Sequence, residues 1–280
     1  MPTPLPISVA LITKNEATRL PACLASVAGL ADEVVVLDSG SSDHTAALAE
    51  SLGARVMVTD WPGFGVQKNR AVAACRHDWV LCLDADERVS PELAAAIRTL
   101  FTGATVGSPP LGAYRFPRCN RFLGRYLRHG EGYPDLSLRL FDRRRARWSE
   151  DPVHETVRAD GPVGRLNGDL IHDSADTLDH YLAKQNRYTS LAAAGRRGES
   201  VSGLAWRMVS SPLLRFVKFY FLRRGFLDGV PGLIHILIGC SNSFTKYAKR
   251  IEHQLRDADL PADSPTRSLP DSPARNSPSP

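Results

Sequence analysis

No apolar run of about 18 residues occurs anywhere in the 280-residue chain, so no bilayer-spanning helix is expected. The nearest stretch, 225–240, is broken by Asp228, Pro231 and His235. No export signal is expected either. Residues 7–12 are apolar, but Lys14, Asn15 and Glu16 end the run short of a signal-peptide core. The five cysteines (Cys23, Cys75, Cys82, Cys119 and Cys240) are an odd set with no C-x-x-C pair. That speaks against a zinc or iron–sulfur framework and against a disulfide scaffold, and makes a reducing cytoplasm the expected setting. Three phosphate or nucleophile signatures are also missing. There is no G-x-G-x-x-G after the first strand, no G-x-x-x-x-G-K-[ST], and no G-x-S-x-G elbow.

What is present suits one large α/β domain with an appendage, or two modest domains. Hydrophobic residues make up 43% and charged residues 23%, enough for a substantial core and too apolar for a disordered chain. The net charge of +5 is unevenly spread. Ten arginines (115, 118, 121, 125, 128, 139, 143, 144, 145, 147) stand against Glu131, Asp135 and Asp142, and a second basic excess runs from Arg207 to Arg256. Such fields attract phosphate, whether on nucleic acid, anionic lipid or a glycan.

The first hundred residues alternate between strand-like runs (7–13, 33–38, 55–59, 79–83) and helix-like ones (16–27, 45–52, 66–75), with Ser90-Pro91 as the cap of a fourth helix. This predicts βαβ units and a parallel sheet. Ligands then belong at the carboxyl ends of the strands, where 14–16, 38–43, 60–63 and 84–87 lie. Three of these four segments are rich in carboxylates, which suits a divalent cation that grips a phosphate. After residue 103 the pattern shifts to short extended stretches at 113–117, 136–141 and 147–148. Leu138-Arg139-Leu140 alternates as a half-buried strand, with Arg139 on the face away from its neighbours. From Leu178 the chain is helical, with Leu237, Cys240, Phe244, Tyr247, Ile251 and Leu255 as an apolar stripe opposite Lys246, Lys249 and Arg250. The Pro/Ser-rich end is expected to be disordered. The expected domains are 1–175 (subdivided 1–103 and 104–175), 176–256 and a tail, 257–280.

Asp84-Ala85-Asp86 closes the fourth strand, where two carboxylates can reach Mg²⁺ or Mn²⁺ and a diphosphate. A bare D-x-D also occurs as a solvated turn; its place at the strand end favours the ligand reading. Asp38 can accept hydrogen bonds from a ribose or a base, while Ser42 and Asp43 read as a helix cap. Residues 63–70 read either as an anion site at a helix start or as a solvated face. His154-Glu155 offers a base or ligand; His172 and His180 read as structural.

Together these residues resemble the large inverting family 2 of GT-A glycosyltransferases, through SVALITKNEATRLPACLASV, EVVVLDSGSSDHT, GFGVQKNRA and WVLCLDADERVSPEL. The later YPDLSLRLFDRRRARWSEDPVHE and GFLDG…KYAKR resemble its bacterial lipopolysaccharide-core β-glycosyltransferase branch. The resemblance implies a Rossmann-like GT-A mixed sheet with flanking helices and a helical C-terminal extension; in that extension Leu213–Leu222, apolar except for Arg215 and Lys218, reads as a membrane-surface segment or as core packing between helices. It implies that Thr13, Asn15, Glu16 and Asp38 hold the nucleoside and Lys68 lies near the diphosphate. Asp84 and Asp86 would form the metal-binding D-x-D, with Asp86 the more direct ligand of Mg²⁺ or Mn²⁺. A later carboxylate would be the catalytic base: Glu155 is favoured, and Asp135 and Glu150-Asp151 are also available. The implied donor is a nucleotide-diphosphate sugar, UDP-glucose first. The implied acceptor is an anionic glycolipid at the cytoplasmic face of the inner membrane, with the enzyme peripheral there. Open alternatives are a polyprenyl-phosphate, capsule, O-antigen or protein acceptor. A sugar nucleotidyltransferase is disfavoured because TKNEATR lacks a Gly-rich loop. A nucleic-acid module would rely on Tyr114, Phe116, Phe122, Tyr126 and Tyr133 stacking on bases, and no nucleic-acid partner is expected.

Overall fold

The computed structural model describes residues 3–103, 109–151, 155–174, 177–194 and 199–259. The Pro/Ser tail from 260 on and His154 lie outside the described residues. Two compact units emerge, Met1–Ala175 with Arg224–Leu233, and Asp176–Arg223 with Ile234–Pro280.

The first unit is built on β1 (Leu5–Thr13), β2 (Ala31–Asp38), β3 (Arg55–Val58) and β4 (Trp79–Asp84), which pair in parallel in the order β3-β2-β1-β4. β1 is apolar along almost its whole length because both its faces are covered. Its pleat divides the core. Leu5, Ile7, Val9 and Leu11 pack towards α1 (Leu20–Val27), α2 (Thr45–Ser51) and α4 (Pro91–Thr102). Ala10 and Ile12 face α3 (Phe64–Ala74) and Trp148. The first helix starts at Leu20 and not at Glu16, because Pro21 cannot donate and fits only a first helical turn. Ser90 caps α4, its Oγ accepting from Leu93 N.

The second half adds strands to the same sheet. β5 (Glu87–Val89), β6 (Ala113–Phe122), β7 (Arg125–Tyr126), β8 (Asp135–Asp142), β11 (Gly164–Arg165) and β12 (Leu170–His172) extend it, while β9 (Ala146–Trp148) and β10 (Val157–Ala159) form a separate ribbon. β8 is antiparallel to β4, so the sheet is mixed. The order runs on as β4-β8-β6-β12-β5. Yet only Ala85 and Asp86 separate β4 from β5 in the chain, so these five strands must curl round on themselves. The register puts Asp135 at the carboxyl end of the parallel strands and Asp142 at the opposite end, beside Trp79.

The second unit holds α5 (Leu178–Ala194), α6 (Val201–Phe216) with a π-helical turn at Val217–Leu222, and most of α7 (Gly229–Asp259). The stripe expected on α7 is rotated. Ile236, Ser243, Tyr247 and Arg250 are buried, while Leu237, Phe244 and Leu255 are exposed. Arg250 is taken inside by an ion pair with Glu199 at 3.2 Å, a partner that helical periodicity on α7 alone does not reveal.

Candidate active site

The carboxyl ends of β1, β2 and β4 form one edge, as a parallel sheet requires. Asp38, at the end of β2, is 1% exposed. Its Oδ2 accepts from Thr13 Oγ1 (2.9 Å) and Ser41 Oγ (2.5 Å), and its Oδ1 from Ser41 N (2.7 Å). Asp38 and Thr13 therefore shape the loop from inside, and the groups that face outward are Asn15 and Ser41-Ser42. Asn15 has a φ of 57°, a left-handed conformation that asparagine tolerates, and its Oδ1 accepts from Ser42 N at 2.8 Å. Glu16 sits beside Arg19 at 2.6 Å. Burial pushes the Glu16 carboxyl up, against the opposing pull of Arg19.

Asp84 and Asp86 differ sharply although one alanine separates them. Asp84 Oδ1 lies 3.1 Å from Lys68 Nζ and its Oδ2 2.7 Å from Arg139 Nη2. Burial by itself would raise the Asp84 carboxyl, but Arg139 and Lys68 outweigh it and hold it far below the usual range. Both oxygens of Asp84, expected as a metal ligand, thus face cations already. Asp86 instead lies 3.3 Å from His172 Nε2, with Arg19 farther off at 3.7 Å. His172 Nδ1 is 2.7 Å from Asn120 Oδ1, an acceptor. With Nδ1 turned to Asn120, Nε2 is the ring atom left to face Asp86, or a cation seated between the two. His172 was read as structural because nothing in LIH signals that β12 returns to the D-x-D.

Arg139 is the larger surprise. Its alternation places it off the apolar face as expected, but that face is the inside of the curl, and Arg139 is 4% exposed. It also binds Glu87 Oε1 at 2.7 Å, while Glu87 Oε2 accepts from Asp84 N at 3.0 Å. Glu87 and Arg139 thereby brace the turn that presents Asp86. Trp148 lies against both cations, with Lys68 Nζ 4.4 Å and the Arg139 guanidinium 5.3 Å from its ring.

The α3 motif is neither a solvated face nor an open anion site. Gly65, Gln67 and Lys68 are buried. Gln67 donates to Ser39 and Thr59, and Asn69 exchanges two 3.0 Å hydrogen bonds with the Trp148 backbone. A Cβ at Gly65 would sit 2.0 Å from Ser149 O, so glycine is needed for this approach. Lys68, expected at a diphosphate, bridges Asp84 and Glu155 Oε1, each at 3.1 Å. Glu155 is thus delivered to the D-x-D edge. Asp135 comes to the same edge, but its Oδ2 is held by Arg118 (2.7 Å) and Asn120 (3.4 Å).

The arginine-rich stretch is not one field. Arg143 and Arg144 pair with Asp78 and Asp142 at the far end of the sheet. Arg121, Arg125 and Arg128 stay exposed on the site side, next to a hairpin whose turn holds Leu123 and Gly124 at φ 46° and 81°. Tyr114 and Phe116 are core residues, which removes two of the aromatics a base-stacking surface would need.

Among the described residues no cluster of three or more His, Cys, Asp or Glu side chains forms a metal cage. Asp86 and the Nε2 of His172, 3.3 Å apart, nonetheless make a two-ligand set. A hard cation completed by phosphate oxygens and water needs no more from the protein, so the residues fit Mg²⁺ or Mn²⁺.

Residues 8–146 match the family model described as glycosyl transferase family 2. An uncharacterized glycosyltransferase of Rickettsia typhi is 30% identical over 265 residues, covering 91% of this chain and 89% of that protein. The lipopolysaccharide core biosynthesis glycosyltransferase LpsC of Rhizobium meliloti is 28% identical over 277 residues, covering 91% and 97%. A crystal structure of glucosyl-3-phosphoglycerate synthase from Mycobacterium tuberculosis with Mn²⁺, UDP and glucosyl-3-phosphoglycerate superposes over 41% of this chain and 44% of that one. Its identity is 28% and its TM-score 0.33, a score at which the superposition carries no weight.

Proposed function

The chain belongs to glycosyl transferase family 2, and from that premise we propose that it moves a sugar from a nucleotide-diphosphate donor to an acidic glycolipid with inversion at the anomeric carbon. The observation that carries this reading is the pairing of Asp86 with an Asn120-oriented His172 beside the Lys68–Glu155 pair.

In this reading Asn15 and Ser41-Ser42 seat the nucleoside, on a loop that Thr13 and Asp38 hold in shape. Glu16 lines the same edge. Asp86 and His172 hold the divalent cation, and Asp84 acts as the counter-charge that fixes Lys68 and Arg139 below them. The cation, when bound, supplies neutralisation of the charge that builds on the departing diphosphate. Glu155 takes the proton from the attacking acceptor hydroxyl, a role worth about 10²–10⁴-fold in rate. Asp135 serves less well, since Arg118 at 2.7 Å and Asn120 both hold its Oδ2, whereas Glu155 meets, among the described residues, Lys68 alone, at 3.1 Å. UDP-glucose is the proposed donor.

The acceptor is proposed from charge and from LpsC, which is named for lipopolysaccharide core biosynthesis. Arg121, Arg125 and Arg128 stand exposed; Arg121 lies 3.9 Å from Asp173, whose backbone N–H donates to Asp86 O, and Arg128 lies 3.3 Å from Asp169. Guanidinium forks there match the phosphates of an inner-core glycolipid. The enzyme would work at the cytoplasmic face of the inner membrane.

The test is transfer from UDP-glucose to a phosphorylated lipopolysaccharide-core acceptor with Mn²⁺, the product linkage being read by NMR. A β-linked product is expected from the α-linked donor. An α-linked product, or no transfer from any UDP-, ADP-, GDP- or dTDP-sugar, would overturn the reading.

A further inference from the structure

The second unit carries an apolar surface for which the glycosyl-transfer site has no use. Within α6 and its π-helical extension, Trp206 (72% exposed), Val209, Leu213, Leu214 (70%), Val217, Phe221 and Leu222 (75%) lie open. Trp206, Val209, Leu213 and Val217 are spaced i, i+3, i+7 and i+11, so they form one stripe along the helix. Leu204, fully buried, and Arg215, which donates to Ser243 on α7, lie on the opposite side. The stripe is therefore the outward face of a helix already anchored to its own unit. So many large apolar side chains in a single continuous stripe are unusual on a soluble surface, where such patches mark an interaction site.

The charge pattern chooses the occupant. From Val201 to Arg223 there is no Asp or Glu, while Arg207, Arg215, Lys218 and Arg223 are all basic. Lys218 and Arg223 are exposed beside the apolar side chains. An apolar stripe flanked by the exposed Lys218 and Arg223, with Arg207 paired to Glu199 at 3.2 Å, suits an anionic bilayer, with the rings and Leu side chains in the acyl boundary and the cations among the headgroups. A self-complementary interface would bring these like charges together across a two-fold axis. Spanning is not the mode, since among the described residues no helix is long and apolar enough to cross a membrane. We propose that the α6 stripe, Trp206 to Leu222, is the surface by which this protein lies in the interface of an anionic membrane.

This inference deepens the membrane setting of the proposed function but does not need its chemistry, so its test uses no donor or acceptor. The full chain is sedimented with vesicles of zwitterionic phosphatidylethanolamine containing about one-third phosphatidylglycerol, and with pure phosphatidylcholine vesicles. Expected is binding to the first, at least about tenfold weaker binding to the second, and further loss at high salt. The triple variant Trp206→Ser/Leu213→Ser/Leu214→Ser, altered only at exposed positions, is expected to keep its circular dichroism and lose vesicle binding. The pair Lys218→Glu/Arg223→Glu is expected to weaken anionic-vesicle binding by about tenfold or more. Three results would overturn the proposal: no wild-type binding to anionic vesicles; unchanged binding by a folded triple variant; or, in light scattering without vesicles, a wild-type dimer that the triple variant converts to monomer. A protein that binds vesicles yet transfers no sugar leaves this inference standing and removes the glycosyl-transfer reading.

Discussion

Residues 3–103 bring four carboxylates to the sheet edge, Glu16, Asp38, Asp84 and Asp86; residues 109–174 answer with Arg118, Arg139 and His172 on β6, β8 and β12. The first half offers ligands on strand ends. The second supplies the groups that decide which of those ligands remain available. Asp84 meets Lys68 from the first half and Arg139 from the second and is neutralised; Asp86 meets the Nε2 edge of His172 at 3.3 Å and Arg19 only at 3.7 Å. Two aspartates of one tripeptide thus acquire different chemistry from strands that arrive some 50 to 90 residues later. What a D-x-D does is settled by its cross-strand partners.

The difference can be broken most forcefully at Asp86. Asp86→Ala is expected to lose nearly all turnover while its unfolding temperature stays close to wild type, because no buried ion pair depends on it. Substantial residual turnover would remove Asp86 from the metal role. Glu155→Gln should lower kcat by about 10²–10⁴-fold with donor affinity retained, whereas Asp135→Asn should cost less than about tenfold. A reversed order in steady-state kinetics would hand the base to Asp135.

Arg139→Met tests the bracing from the second half. It leaves Glu87, fully buried, with only the longer 3.6 Å ion pair to Arg118, a loss of about 3 kcal/mol measurable by urea denaturation. The pH sign follows from Asp84. A carboxyl depressed in the folded state contributes stability above its unfolded value, near 3.8, and loses it only as pH falls through the folded value. Wild type should therefore keep this contribution at pH 4, and Arg139→Met should keep only the part that Lys68, 3.1 Å from Asp84, still supplies.

Gly65→Ala sharpens the same comparison at the seam between halves. Its Cβ would meet Ser149 O at 2.0 Å, so the segment leading to Glu155 must move. A cost of about 1–3 kcal/mol in stability is expected, with a fall in kcat larger than any rise in KM. The smallest effect belongs to Glu16→Gln. A carboxyl raised in the folded state favours folding below its unfolded value and opposes it as pH rises through the folded one. The variant should be more stable at neutral pH by no more than about 0.5 kcal/mol after solvent screening, the gain vanishing in acid.

The first half was legible because periodicity writes it. The apolar runs of β1, β2 and β4, the Ser90-Pro91 cap and the carboxylates at the strand ends all follow from local rules. Exact helix starts did not, as Pro21 shows. The second half was less legible because its short strands, such as Leu170–His172, carry too little pattern to be placed. Arg139 was seen to leave the apolar face, but only the curl from β4 to β5 reveals that the other face is closed. The GFGVQKNRA motif was visible; its purpose, a close helix contact at Gly65 and a hub at Lys68 and Asn69, appears only once Trp148 and Glu155 are beside it.

The most direct measurement is calorimetric titration with UDP, in Mn²⁺ and in EDTA, of wild type, Asp86→Ala, His172→Ala and Asp84→Asn. The account predicts metal-dependent UDP binding by wild type. It predicts that binding is lost in Asp86→Ala, is weakened strongly in His172→Ala, and keeps its metal dependence in Asp84→Asn. UDP binding that ignores metal, or metal dependence that survives loss of both Asp86 and His172 while vanishing with Asp84, would contradict it.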